Sequence, residues 1–262
     1  MRPTEHGWIG IAFRCLAGLG LLYVLAPILI MFPLSVENGH ILRFPPQTLS
    51  LHWYADYLAS EPWLDSTALS FVVALGAALV STTLGTLAAI GVARASVRMR
   101  SFCSLILTSP ILVPTIVAAV SMYGVYASLR LVGTTLGLIA AHAVLTLPFV
   151  VLNVSAAIAT APRSLEEAAM SLGATPLATF LQVTIPLLSR GIAAGAAFAF
   201  LVSFDEVVIA KFLSSADTVT LPKRMFDGVF YEMTPMLAAI SCMLVLLNVA
   251  IAAAALAFTR SR

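Results

Sequence analysis

Six stretches of about twenty mostly apolar residues recur along this chain, and that is the length a helix rising about 1.5 Å per residue needs to cross a hydrocarbon core roughly 30 Å thick. They run from Ile9 to Phe32, Ala68 to Val92, Phe102 to Leu129, Thr135 to Ala157, Gly191 to Leu213 and Met236 to Phe258. Only 10% of the residues are charged and 60% are hydrophobic, against about 25% charged in a soluble domain. The expected fold class is therefore an all-α polytopic membrane protein with six transmembrane helices.

Charge then sets orientation, because Lys and Arg are retained in cytoplasmic loops. With the N-terminus inside, Arg2, Arg14, Arg94, Arg98, Arg100, Arg163, Arg190, Arg260 and Arg262 fall on the inner side, and Arg43, Arg130, Lys223 and Arg224 on the outer side. Nine against four, with Lys211 near a helix end, places both termini in the cytoplasm. The run from Cys15 to Phe32 superficially reads as a signal peptide, but no small-residue cleavage signal follows it and it continues into Pro33-Leu34-Ser35, so a retained first span is expected. A net charge of +2 without a basic stripe excludes a nucleic-acid binder. Cys15, Cys103 and Cys242 share no metal-ligand spacing and read as packing residues.

Within the spans, Ala77, Ser81, Gly85 and Ala89 form a small-residue stripe that lets two helix backbones approach in lipid. Pro110, Pro114 and Pro148 remove backbone donors and should bend or break their helices. His142 reads as a packing or interhelical hydrogen-bonding residue. Asp205 and Glu206 are costly in a span unless paired or facing a cavity. Asp205 lies about 14 residues, or roughly 21 Å, from the inner end of its expected span. Lys211, six residues further on, is poorly placed to neutralise either acid.

The loop from Pro162 to Arg190 is the most informative segment. Ser164 followed by Glu167 has the spacing of a capping box, predicting a short helix from Ser164. Gly173 would end it in the left-handed conformation. Leu165, Ala168, Ala169 and Leu172 fall at helical spacing on one narrow face, suited to a partner's groove. Thr175-Pro176 marks a second helix start.

Glu167-Ala168-Ala169, then Gly173, then nine residues and Val183-Thr184-Ile185-Pro186 resembles the Glu-Ala-Ala loop of binding-protein-dependent ABC importer permeases. That pattern ends Ile-x-Leu-Pro, so Val183 and Ile185 are conservative departures. The resemblance covers roughly Leu64 to Ala253 and implies a type I importer permease. Its coupling loop, with Ser164, Leu165, Glu167, Ala168, Ala169, Leu172, Gly173 and Pro186, would dock in a cytoplasmic ATPase. It implies an N-terminal helix and outer loop over 1–63, a five-helix core over 64–253 with the coupling loop at 162–190, and a tail over 254–262.

His142 through Pro148, Leu221-Pro222, and Ser203 through Ala210 resemble the spermidine/putrescine subgroup, second-permease type. Thr115 follows Pro114 where some polyamine permeases carry an acidic residue, which leaves the exact solute open. Asp205 and Glu206 would then line the path of a cationic solute.

A secondary transporter or channel should show inverted repeats and has no use for the coupling loop. An intramembrane enzyme would need motifs this chain lacks, and without a phosphate loop it cannot hydrolyse ATP itself. The expected chain is therefore not an enzyme and binds no cofactor or metal, ATP and magnesium being used by two copies of a partner ATPase. A second permease, encoded as a different chain, completes the path. An external solute-binding protein meets the segments Pro33 to Ser66 and Ser214 to Thr234.

Overall fold

The computed structural model describes residues 8–231 and 233–260, so Arg2 and Arg262 of the charge argument lie outside the described residues. Among these the chain is helical, its one extended pairing being a bridge between Glu37 and Leu49. In order the helices are α1 (Trp8–Leu34), α2 (His52–Ala59), α3 (Glu61–Arg94), α4 (Val97–Thr108), α5 (Thr115–Ser128), α6 (Thr135–Thr160), α7 (Ser164–Ser171), α8 (Pro176–Thr179), α9 (Ile185–Phe204), α10 (Val208–Leu213), α11 (Leu221–Tyr231) and α12 (Pro235–Arg260). Among the described residues four spans are long and apolar enough to cross a membrane, five if one bent pair counts as a span; in α12 the described apolar stretch, Pro235–Ile251, is shorter. Backbone contacts divide the chain into one unit of Glu61–Asp227 with Leu247–Arg262 and another of Met1–Ser60 with Gly228–Leu246.

The larger unit is organised around α3, α6 and α9, which pack on one another. Ala77, Ser81, Gly85 and Ala89 are all buried on one face of α3, as their spacing predicts. Val150 of α6 is fully buried where the three helices meet. A side-chain carbon on Gly85 would lie 2.9 Å from the Val150 Cβ, and one on Gly195 of α9 would lie 3.1 Å from the Val150 Cα. Hydrogen at those two positions lets three backbones close around one valine, the close approach that holds helices together where lipid offers no hydrophobic drive. Phe71 extends this core, its ring 6.0 Å from that of Phe200 and 5.0 Å from that of Phe204. A second apolar cluster joins Val73, Ala119, Leu138, Ala141, Ile209 and Leu213.

Prolines act as expected at one place and not at another. A 3-10 turn, Ser109–Leu112, carries Pro110 near its start, and the helices on either side of Val113-Pro114 meet at 103°. Val113 is extended, with φ −85° and ψ 125°, the conformation a following proline imposes. Pro148, by contrast, is buried inside an uninterrupted α6. The expected span Gly191 to Leu213 needs correction: the helix begins at Pro176, ends at Phe204 and is followed by the separate α10.

In the smaller unit, the segment between α1 and α2 is knit by Glu37, which is almost fully buried. Its carboxylate accepts the backbone N–H of Gln47 at 2.8 Å and of Gly39 at 3.1 Å. Its carbonyl accepts the Trp53 indole N–H at 2.9 Å. The Gln47 amide is the largest of the influences that hold this carboxyl below its ordinary value, since amides aimed at a carboxylate favour its charged form. Nearby, the Tyr54 hydroxyl donates to Ser35 Oγ at 2.8 Å, and Ser35 donates to the Phe32 carbonyl at 2.7 Å.

Candidate functional site

The loop between α6 and α9 folds into the two short helices that its sequence predicts, but it starts differently. Arg163 is already helical, at φ −62° and ψ −26°, and the Ser164 hydroxyl makes no cap. The proline at 162, with its fixed φ, begins the turn one residue early, and the Arg163 carbonyl accepts from Glu166 at 3.0 Å and Glu167 at 3.2 Å. The capping box of Ser164 and Glu167 is therefore corrected: Ser164 is the first residue of the helix, not its cap.

The helix end is as expected. Gly173 has φ +90°, its N–H bonds the Met170 carbonyl at 3.0 Å, and Ala174 bonds back to Ala169 at 3.1 Å. These are the paired bonds of a Schellman stop. Thr175 then caps α8, its hydroxyl accepting from Ala178 at 3.2 Å.

α8 does not end the loop. It passes into a π-helical turn, Phe180–Thr184, and on into α9. Pro186, near the start of α9, has no N–H to give to the turn before it. A π turn is one way for a helix to absorb such a missing bond without breaking.

No residue of α7 is buried. Leu165 and Ala168 are exposed, Leu172 is 90% exposed, and only Ala169 is half-buried. The predicted narrow apolar face thus stands open. The other side of α7 carries Glu166, whose carboxylate accepts Arg94 Nη2 at 3.1 Å and Thr184 Oγ1 at 2.6 Å. Arg163 and Arg100 both donate to the Ala93 carbonyl, at 3.0 and 2.7 Å, at the end of α3. Between α7 and the helices lies a cavity of about 290 Å³ bordered by Ile90, Ile158, Met170, Leu187 and Leu188. Sequence reasoning singled out Glu167 and passed over Glu166. It counted Arg94 and Arg163 only as topology signals.

At the other end of α9, Asp205 and Glu206 occupy a break in the helix and not its middle. Asp205 closes α9 and is exposed, with the Asn248 side chain beside its carboxylate. Glu206 accepts the Ile209 N–H at 2.8 Å, satisfying a free amide at the start of α10. Lys211 lies 3.8 Å from Asp227 and over the Phe226 ring. His142 is buried and joins α6 to α9 through its Nδ1, 2.9 Å from Ser203 Oγ. Among the described residues no group of three or more His, Cys, Asp or Glu is arranged to hold a metal.

Residues 81–262 match the family described as binding-protein-dependent transport system inner membrane component. The putrescine transport system permease protein PotI of Escherichia coli K12 is 29% identical over 233 residues, covering 86% of this chain and 83% of that protein. The spermidine/putrescine transport system permease protein PotC of Haemophilus influenzae is 27% identical over 241 residues, covering 91% and 92%. In fold, the chain is similar to one from the crystal structure of a bacterial ABC transporter involved in the import of the acidic polysaccharide alginate. That likeness has a TM-score of 0.73 at 19% identity over 94% of this chain and 93% of the other. A further solved relative, at TM-score 0.68 and 16% identity over 98% of each chain, is that alginate transporter in complex with an alginate pentasaccharide-bound periplasmic protein.

Proposed function

The chain belongs to the family of binding-protein-dependent transport system inner membrane components, and from that membership we propose that it forms one half of the path for a polyamine, of the putrescine or spermidine kind. It is an ABC importer permease subunit in the inner membrane, and ATP hydrolysis falls to a separate subunit. The similarity to the putrescine permease over most of both chains carries the choice of solute.

In this reading α7 inserts its open face, Leu165, Ala168, Ala169 and Leu172, into an ATPase, two copies of which serve two permeases. The second permease is a different chain, and an external binding protein delivers the solute. Asp205, exposed in the break after α9, offers a carboxylate to a passing ammonium group, and a single charge with a polar neighbour gives a site weak enough to release it. Glu206, occupied with α10, shapes the break and contributes less.

The test is to identify, by mass spectrometry, the ligand copurifying with the cognate binding protein, and to measure uptake of labelled putrescine and spermidine by the reconstituted complex. ATP-dependent uptake of either amine is the expected result. A binding protein loaded with an anion or a sugar would overturn the polyamine assignment.

A further inference from the structure

We propose that Glu166 is the positioning residue of this coupling loop, fastening α7 to α3 and to α9 at once. The proposal rests on the reading of α7 as the helix that docks the ATPase. Because no residue of α7 is fully buried, apolar packing holds it only loosely against the spans, and a cavity of about 290 Å³ lies behind it. What does cross that gap is polar. The two Glu166 carboxylate oxygens are shared out, one to Arg94 at the last turn of α3 and the other to Thr184 at the end of the π turn that leads into α9.

Division between two elements is the informative point. An exposed ion pair adds little to stability, and Arg94 is 56% exposed, so stability gives no reason for this placement. A carboxylate gripping two helices makes them follow one displacement. Arg163, bonded to the Ala93 carbonyl, secures the start of α7 to α3 alone and leaves α9 with Glu166 as its tie. Thr184 is buried, and its short bond to a charged acceptor is of the strong, directional kind.

Four variants, reconstituted with the ATPase, the second permease and the binding protein, test this by solute imported per ATP hydrolysed. Glu166→Gln and Thr184→Val should each lower that ratio by at least about five-fold, the lower end of usual coupling strengths, while the ATPase still copurifies. The exchanged pair Arg94→Glu with Glu166→Arg should recover most of the loss, because arginine at 166 can meet both the new carboxylate and the Thr184 hydroxyl oxygen. Ala168→Arg, on the docking face, should abolish ATPase copurification.

If Ala168→Arg abolishes copurification while Glu166→Gln and Thr184→Val import as many solutes per ATP as the parent, the positioning role is wrong and the docking reading stands. If Ala168→Arg behaves as the parent, both fall. A loss in Glu166→Gln that comes with a lost ATPase and is not recovered by the exchanged pair would mark a merely structural residue and overturn the proposal.

Discussion

Glu37 is a buried carboxylate whose work is to organise a loop, and its chemistry makes that work depend on pH. Its folded-state value lies below the ordinary one of 4.5. The stabilisation is therefore complete above that ordinary value and is lost as pH falls through the lower folded one. Amide exchange at Gly39 and Gln47, corrected for intrinsic rates, should be slow at pH 7 and accelerate once pH drops below about 4.5. In Glu37→Gln it should be fast throughout, and a flat pH profile in the parent would refute the linkage. Nothing in the sequence marks Glu37, because its partners are backbone amides up to ten residues away and backbone carries no sequence signal. Glu166 was hidden for a different reason. Neighbouring residues on a helix point about 100° apart, so one acid of the pair Glu166-Glu167 must turn inward, and only the position of Arg94 and Thr184 decides which. Gly173 and Thr175 were legible because each acts on its own few residues.

At the scale of elements, the close approach of α3 and α6 at Gly85 is open to a direct challenge. Gly85→Ala places a methyl group 2.9 Å from the Val150 side chain, and overpacking of this kind typically costs about 1–3 kcal/mol. Gly91→Ala, with no atom within 4 Å of the added carbon, should leave stability unchanged or raise it by about 0.5–1 kcal/mol, since glycine is unfavourable within a helix. Thermal melting in detergent should rank Gly91→Ala at or above the parent and Gly85→Ala clearly below, with Val150→Ala restoring part of the second loss. Equal melting of the two glycine variants would mean that the three helices do not close as described. The small-residue stripe of α3 and the break at Pro114 were readable because spacing and a missing N–H act locally. The end of α9 was not: Asp205-Glu206-Val207 contains neither Gly nor Pro, and apolar residues continue on both sides, so a hydropathy average passes straight over the break.

For the molecule as a whole, the break matters because it sets a carboxylate beside Asn248 of α12. On the proposed polyamine path, Asp205→Asn should slow uptake on the order of ten-fold, equivalent to about 1.4 kcal/mol, with assembly of the complex retained. Uptake equal to the parent in the double variant Asp205→Asn with Glu206→Gln would remove both acids from the path and leave membership of the family untouched. The unbroken run from Pro176 to Phe204 adds a mechanical property. Its 29 residues make a rod roughly 43 Å long at about 1.5 Å per residue, so a tilt of about 5° at one end swings the other by about 4 Å. That is more than the width of a water molecule, and the π turn, Phe180–Thr184, lies toward the loop end of the rod. On the proposed polyamine path, a small rocking of the loop is thereby geared up at the end of the rod that carries Asp205.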